Sequence, residues 1–492
     1  MDQKISVVYV SSELSPLAKS GELADVAGSL PKYLVPRGLE VSVFLPKYRL
    51  PEIEALPQER VLTDLVVPLG EKKIKAQVFK MKMAGHDVFL IDNPSYFWRD
   101  GIYGTGKGEY LDNDERYIFF NRAVLEYLLK TKTPVDIIHC NSWQTALIPV
   151  FVKTHYAQKG RLKRAATLLT LHNVSYQGEF PPETLALTGL NWDFFSPTQL
   201  ALNGRFNFLK AGILYSDVIN TVSSSYKRDI QTRKHGFGLE RILKSRNKDF
   251  YAVHNGADYQ VWNPETDPHI TANYSSGDLG PKKKCKQDLI DEFGLCLDEK
   301  EPVLGIFSYL TKHKGLDLLV EGLDELMSLG IGLAVLGQGD EKYEKKLEAC
   351  QKKYPGKMAF RKDSLPSLAH KLMAGLDIFL MPSLYEPCGL NQLYAFRYGT
   401  VPVVRATGGL AETVKTFDEK NLSGNGFVFD EYTTAAFLKT LKRALDVYGK
   451  PEIWASIVKT GLEENFSWEK AAQRYHRLYL RAVEKKRGGQ GG

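Results

Sequence analysis

Residues 302–353 read PVLGIFSYLTKHKGLDLLVEGLDELMSLGIGLAVLGQGDEKYEKKLEACQKK. The apolar start predicts a buried strand over 302–309, and the spacing that follows predicts a helix over 316–329. A second strand over 332–336 and a helix over 341–353 complete a parallel βαβ rhythm. The pattern continues with a helix over 368–374 and strands over 378–381 and 401–404. The N-terminal half repeats it, with strands over 5–10, 40–45, 135–139 and 167–171 and a helix over 23–34. The expected fold class is α/β, two doubly wound Rossmann-like domains facing across a cleft. Residues 258–300 are poor in periodicity and carry Trp262-Asn263-Pro264, Ser275-Ser276-Gly277 and the run Lys282-Lys283-Lys284. A hinge at the start of that stretch gives domains over 1–258 and 259–467. The remainder, 468–492, is expected to be a helix with Tyr475, Leu478, Tyr479 and Leu480 on one apolar face, then an unstructured tail from Gly488.

Composition excludes several classes. The 492 residues are 43% hydrophobic and 25% charged, as globular chains are, which sets aside disorder, collagen-like repeats and coiled coil. A net charge of +7 is small for this length, so nucleic acid is not an expected partner, whereas a small anionic ligand is compatible with it. The five cysteines include no C-x-x-C pair, which implies a reducing compartment and no zinc site. Neither a basic leader nor an apolar run of bilayer length is present, so the expectation is a cytoplasmic protein without a membrane partner.

Candidate chemistry collects where the strands end. Gly101 to Lys107 fits G-x-x-x-x-G-K, but Gly108 stands where Ser or Thr should hold magnesium, and no strand leads into it. A surface loop is the better reading, with Trp98, Tyr103 and Tyr110 as possible ligand contacts. No G-x-G-x-x-G follows a strand, so no nicotinamide cofactor is expected. After the strand over 5–10, Lys19, Ser20 and Gly21 would offer an ammonium and free backbone N–H groups to an anion. His172 follows the strand over 167–171, as a site residue or as a histidine satisfied by a carbonyl. Glu386 and Gly408-Gly409 follow two further strands. They read either as a helix-dipole complement and a chain turn, or as a carboxylate for hydroxyls and a bare backbone for phosphate.

Together the motifs resemble one family. Lys19-Ser20-Gly21-Glu22-Leu23-Ala24-Asp25-Val26, His172-Asn173, Tyr176-Gln177-Gly178, Phe208-Leu209-Lys210-Ala211-Gly212 and Asn255-Gly256-Ala257-Asp258 come first in chain order. Lys314-Gly315-Leu316-Asp317, Glu386-Pro387-Cys388-Gly389-Leu390 and Thr407-Gly408-Gly409-Leu410 follow. In this order they are similar to the bacterial glycogen synthase and plant starch synthase family. The resemblance implies a GT-B glycosyltransferase that moves glucose from ADP-glucose to the non-reducing end of an α-1,4-glucan with retention, using no metal or other cofactor. It also implies a last helix returning to the first domain. By resemblance Lys19 and Lys314 serve the nucleotide phosphates, His172 the sugar near the reacting carbon, Asn255 the donor and Glu386 the glucose hydroxyls. Gly21, Asp25, Tyr309, Cys388, Gly389, Leu390, Thr407, Gly408 and Gly409 complete the expected substrate-binding set.

Four positions depart from the family pattern. Tyr309 stands where an arginine clamps the phosphates, and a phenol has neither the charge nor the fork of a guanidinium. Glu22 replaces a glycine in the first loop, and Ser142 replaces an aspartate that contacts glucose. Ser364 falls near the position of a tyrosine that stacks on adenine. These departures keep two alternatives open: a glucan-binding paralogue with little or no catalysis, and a related transferase with a changed donor or acceptor.

Overall fold

A computed structural model of the protein describes residues 4–106, 108–362 and 365–488, so Lys107, Ser364 and the tail after Gly488 lie outside the described residues. The chain divides into two compact units. One comprises Met1–Val222, Lys227–His254 and Trp468–Gly492, and the other Ser223–Tyr226 and Asn255–Ser467.

The first unit is built on a nine-stranded sheet. Its order is Phe250–Ala252, Val218–Thr221, Ala166–Leu171, Ile137–Asn141, Ser6–Val10, Glu40–Pro46, His86–Asp92, Lys72–Met83, Glu59–Leu69. Seven of these strands pair in parallel, and their central members are buried on both faces, which is why they read as continuous apolar runs. The last two, in a stretch where the sequence reading places no element, pair antiparallel. In Glu59–Leu69 the buried residues Leu65, Val67 and Leu69 alternate with exposed Val66, the period of a strand with one covered face. The helix Glu22–Leu34 lays Leu23, Val26, Ala27, Leu30 and Leu34 against the interior. The helix Trp468–Gly488 belongs to this unit and buries Ala471, Ala472, Tyr475, Leu478, Tyr479 and Ala482. Leu480 is exposed. It sits five residues beyond Tyr475, about 140° around the helix, and so leaves the apolar face it was assigned.

The second unit holds a six-stranded parallel sheet in the order Met358–Arg361, Gly332–Leu336, Val303–Phe307, Ile378–Met381, Val401–Arg405, Phe427–Phe429. The single helix expected over 316–329 is two, Leu316–Glu321 and Leu323–Met327, broken at Gly322. A Cβ at Gly322 would lie 3.1 Å from Thr434 and 3.2 Å from Leu438, so the glycine admits the helix Thr434–Tyr448. The aperiodic stretch after 258 also contains a helix, Lys282–Phe293, whose buried Cys285, Leu289 and Phe293 recur every four residues beneath the lysine run. Trp262 ties the preceding segment down by stacking on His370 and Tyr394, at centroid distances of 3.9 and 4.1 Å.

In both sheets the order reverses around the first strand of the unit, Ser6–Val10 and Val303–Phe307. The crevice at such a reversal, beyond the carboxyl ends of the strands, is where open α/β sheets bind ligands. Among the described residues no helix is long and apolar enough to cross a membrane.

Candidate active site

In the first unit the strand Ser6–Val10 runs into buried Ser11, Ser12 and Glu13. Glu13 Oε2 accepts the N–H of Ser20 at 2.7 Å and that of Gly21 at 3.0 Å, so the two backbone donors expected to meet an anion are held by a carboxylate. Oε1 accepts the hydroxyl of Tyr103 at 2.7 Å. The Tyr103 hydroxyl is thereby tied to the interior of the unit, while the segment around it lies at the surface, where Gly104–Thr105 and Gly108–Glu109 pair as a short hairpin. Lys19 Nζ lies 2.7 Å from Asp25 Oδ1, and burial raises the Asp25 carboxyl while Lys19 pulls it down. The junction around Gly21 thus carries Glu13, Glu22 and Asp25 against Lys19.

His172 follows the strand Ala166–Leu171, and its Nε2 lies 2.9 Å from Asn141 Oδ1 at the end of the neighbouring strand. Burial lowers the imidazole to about 3, so the ring is neutral. His139, bonded to Tyr479 and Thr170, is pushed well below the ordinary value by burial, and burial lowers His86 to about 4. An unfolded chain protonates these rings below pH 6.5, whereas the folded one does so only near 4 and below. Their contribution is therefore complete above pH 6.5 and is lost on acidification, by about 1.4 kcal/mol per pH unit for each ring. Thermal unfolding followed between pH 7 and 5 should show a melting temperature that falls with pH; a flat profile would contradict neutral burial.

Ser142 has φ +56° and ψ −170°, a conformation that glycine adopts without strain. The Ser142 N–H donates to Thr170 O at 3.0 Å and the Asn141 N–H to Thr145 Oγ1 at 2.6 Å, which hold it there. Ser142→Gly is expected to raise the melting temperature by about 2 °C, the equivalent of roughly 1 kcal/mol of released strain. A fall in calorimetry would show that the serine side chain contributes more than the backbone costs.

In the second unit Lys314 and Glu386 meet. Nζ lies 2.9 Å from Oε1 and 2.8 Å from Oε2 of a carboxylate that is 1% exposed, and Ser383 Oγ donates to Oε2 at 3.2 Å. Gly315 makes the approach possible: it has φ +79°, and a Cβ would lie 2.1 Å from Pro382 O. A Cβ at Gly408 would lie 1.9 Å from Glu386 O, and one at Gly409 2.1 Å from Cys388 O. The two motifs are therefore one packed unit, the second glycine's N–H donating to the carbonyls of Glu386 and Pro387. Cys388, Leu390 and Thr407 are buried around it, and Gly389 takes φ +71° over Gln392, whose amide donates to the carbonyls of Cys388 and Gly389. Asn255 is buried at the start of the unit. Tyr309 is 52% exposed, and Lys312 and His313 beside it are exposed as well.

Glu13, Asn141 and Ser383 did not stand out in the sequence, although all three lie at or just beyond a strand's carboxyl end. Among the described residues no group of three or more His, Cys, Asp or Glu is placed to hold a metal ion.

A family model described as the starch synthase catalytic domain matches residues 6–245, and one described as glycosyl transferases group 1 matches residues 290–459. The glycogen synthase of Koribacter versatilis is 42% identical over 479 residues, which span 97% of this chain and 98% of that one. This chain belongs to the glycogen and starch synthase family. The glycogen synthase of Thermotoga petrophila is likewise 42% identical, over 98% of this chain and 99% of its own. Among solved structures, the catalytic domain of starch synthase IV from Arabidopsis thaliana, bound to ADP and acarbose, matches over 98% of this chain and 100% of that one. The TM-score is 0.91 at 31% identity. The fold is the GT-B glycosyltransferase fold, and the Glu386–Lys314 ion pair joins the Glu386-Pro387-Cys388-Gly389-Leu390 segment to Lys314-Gly315-Leu316-Asp317.

Proposed function

We propose that this enzyme transfers glucose from ADP-glucose to the non-reducing end of an α-1,4-glucan with retention, in the cytoplasm. The end-to-end correspondence with glycogen synthases carries this reading, and the Arabidopsis relative bound to ADP and acarbose supports the donor and acceptor classes. Free cysteines among the described residues agree with a reducing compartment.

The leaving group is a pyrophosphate ester whose negative charge grows as the glycosidic bond breaks. A positioned ammonium stabilises that charge more than it stabilises the bound donor, which is what lowers a barrier. Lys314 has this role, with Lys19 as a second cation if Asp25 releases it. Glu386 accepts hydrogen bonds from glucose hydroxyls, Asn255 contacts the donor, and His172 contacts the sugar.

Tyr309 and Glu22 favour a second reading, an enzyme that is slow with ADP-glucose or takes another donor. One incubation separates the cases: purified protein with ADP-glucose or UDP-glucose and glycogen, following nucleoside diphosphate release and polymer labelling together. ADP release matched by incorporation is expected. Glycogen binding without either would show a binder, and release confined to another nucleotide sugar would show the changed donor.

A further inference from the structure

The Asn141 amide has one possible orientation. Its Nδ2 donates to Val10 O at 3.0 Å, so turning the amide over would set Oδ1 against that carbonyl. Oδ1 therefore faces Tyr9 Oη at 3.1 Å and His172 Nε2 at 2.9 Å and accepts from both. A nitrogen that donates must carry the proton. A neutral imidazole has only one, so Nδ1 is left as an acceptor.

From this geometry we infer that Asn141 is a positioning residue, which holds His172 as the Nε2–H tautomer so that Nδ1 accepts a hydrogen bond from a sugar hydroxyl. The inference rests on the reading of His172 as a sugar contact. The groups packed around the pair are uncharged. His139 on the same strand is neutral by burial, and the phenols of Tyr9, from the neighbouring strand, and Tyr479, from the last helix, are raised by burial. Tyr475 Oη, from the same helix, accepts a hydrogen bond from Asn220. The Tyr9 ring stands edge-on to His139 at 4.7 Å, which closes the wall behind Asn141. No carboxylate of this set is available to draw a second proton onto the ring, and the ring serves as an acceptor, not as an acid.

The test uses full-length protein labelled with 15N-histidine, with the His172 signals identified by their loss in His172→Phe. Long-range proton–nitrogen correlation spectra should show His172 Nε2 protonated and Nδ1 bare at pH 7.5. In Asn141→Leu that single tautomer should be lost. Turnover in glucan synthesis should fall at least ten-fold, with KM for ADP-glucose within two-fold and a retained cooperative melt. Asn141→Asp, close in shape, should keep Nε2 protonated, while its charge makes the imidazolium appear at a pH where the native ring is neutral. A native ring protonated at Nδ1 would overturn the inference, and so would an Asn141→Leu variant that keeps both tautomer and turnover. A lost tautomer with native turnover would overturn the presentation of Nδ1 to the sugar. The spectra are independent of activity, so they test Asn141 even if the protein makes no glucan.

Discussion

Exchanging Glu386 for glutamine is expected to slow glucosyl transfer by about a hundred-fold or more. One oriented charged contact to a reacting group is worth roughly 2–4 kcal/mol in the transition state. The carboxylate is buried and grips Lys314 through both oxygens, so the substitution removes two things together. In the proposed role it replaces a charged acceptor for sugar hydroxyls with a single neutral amide oxygen, and it removes the anion that holds the ammonium in place. Glutamine keeps the volume, and the Lys314 side chain is 27% exposed, so water can reach its charge and the loss of stability should stay near 1–3 kcal/mol. Alanine is the poorer probe, because it adds a cavity beneath Lys314. Steady-state turnover and a melting curve on the same preparation separate the two effects. Native turnover in the variant would remove Glu386 from the reaction.

Tyr309→Arg should have the opposite sign. A guanidinium grips phosphate through two parallel hydrogen bonds, and such a clamp typically contributes several kcal/mol, about a hundred-fold in rate. Tyr309 is half exposed at the end of the strand Val303–Phe307, so an arginine enters without disturbing the core. The exposed Lys312 and His313 do not supply the fork, and Lys314 is already paired with Glu386. Turnover with ADP-glucose is expected to rise by roughly that factor in the variant. A native rate that falls on installing arginine would show that the phenol belongs to a donor site of a different design.

The parallel strands were legible because burial on both faces leaves an uninterrupted apolar run. The antiparallel hairpin Glu59–Leu69 with Lys72–Met83 has no continuously buried run, since only scattered residues such as Leu65, Val67, Ala76 and Val78 are buried and Lys72, Lys73, Lys75, Lys80 and Lys82 interrupt the second strand. The helix Lys282–Phe293 hid beneath a lysine run of which Lys282 turns inward, donating to Ala374 O and Thr400 Oγ1. Gly322 could have been read as a break, but the reason for it, the approach of the helix Thr434–Tyr448, exists only in three dimensions.

The site shows the same division. Strand ends pointed to His172 and Glu386, because a doubly wound sheet gathers its chemistry there, whereas Lys314 came from the family resemblance. That Lys314 and Glu386, separated by 72 positions, hold one another is a property of the fold. So is the use of Glu13 to occupy the N–H groups of Ser20 and Gly21, which looked open to an anion in the sequence.

The most direct measurement supplies ADP-glucose carrying a labelled glucose to the purified protein with glycogen, then digests the washed polymer with β-amylase, which cuts maltose from non-reducing α-1,4 ends. Label released as maltose is the expected result. A polymer that gains no label, or holds it in a form the amylase cannot release, would contradict an α-1,4-glucan synthase.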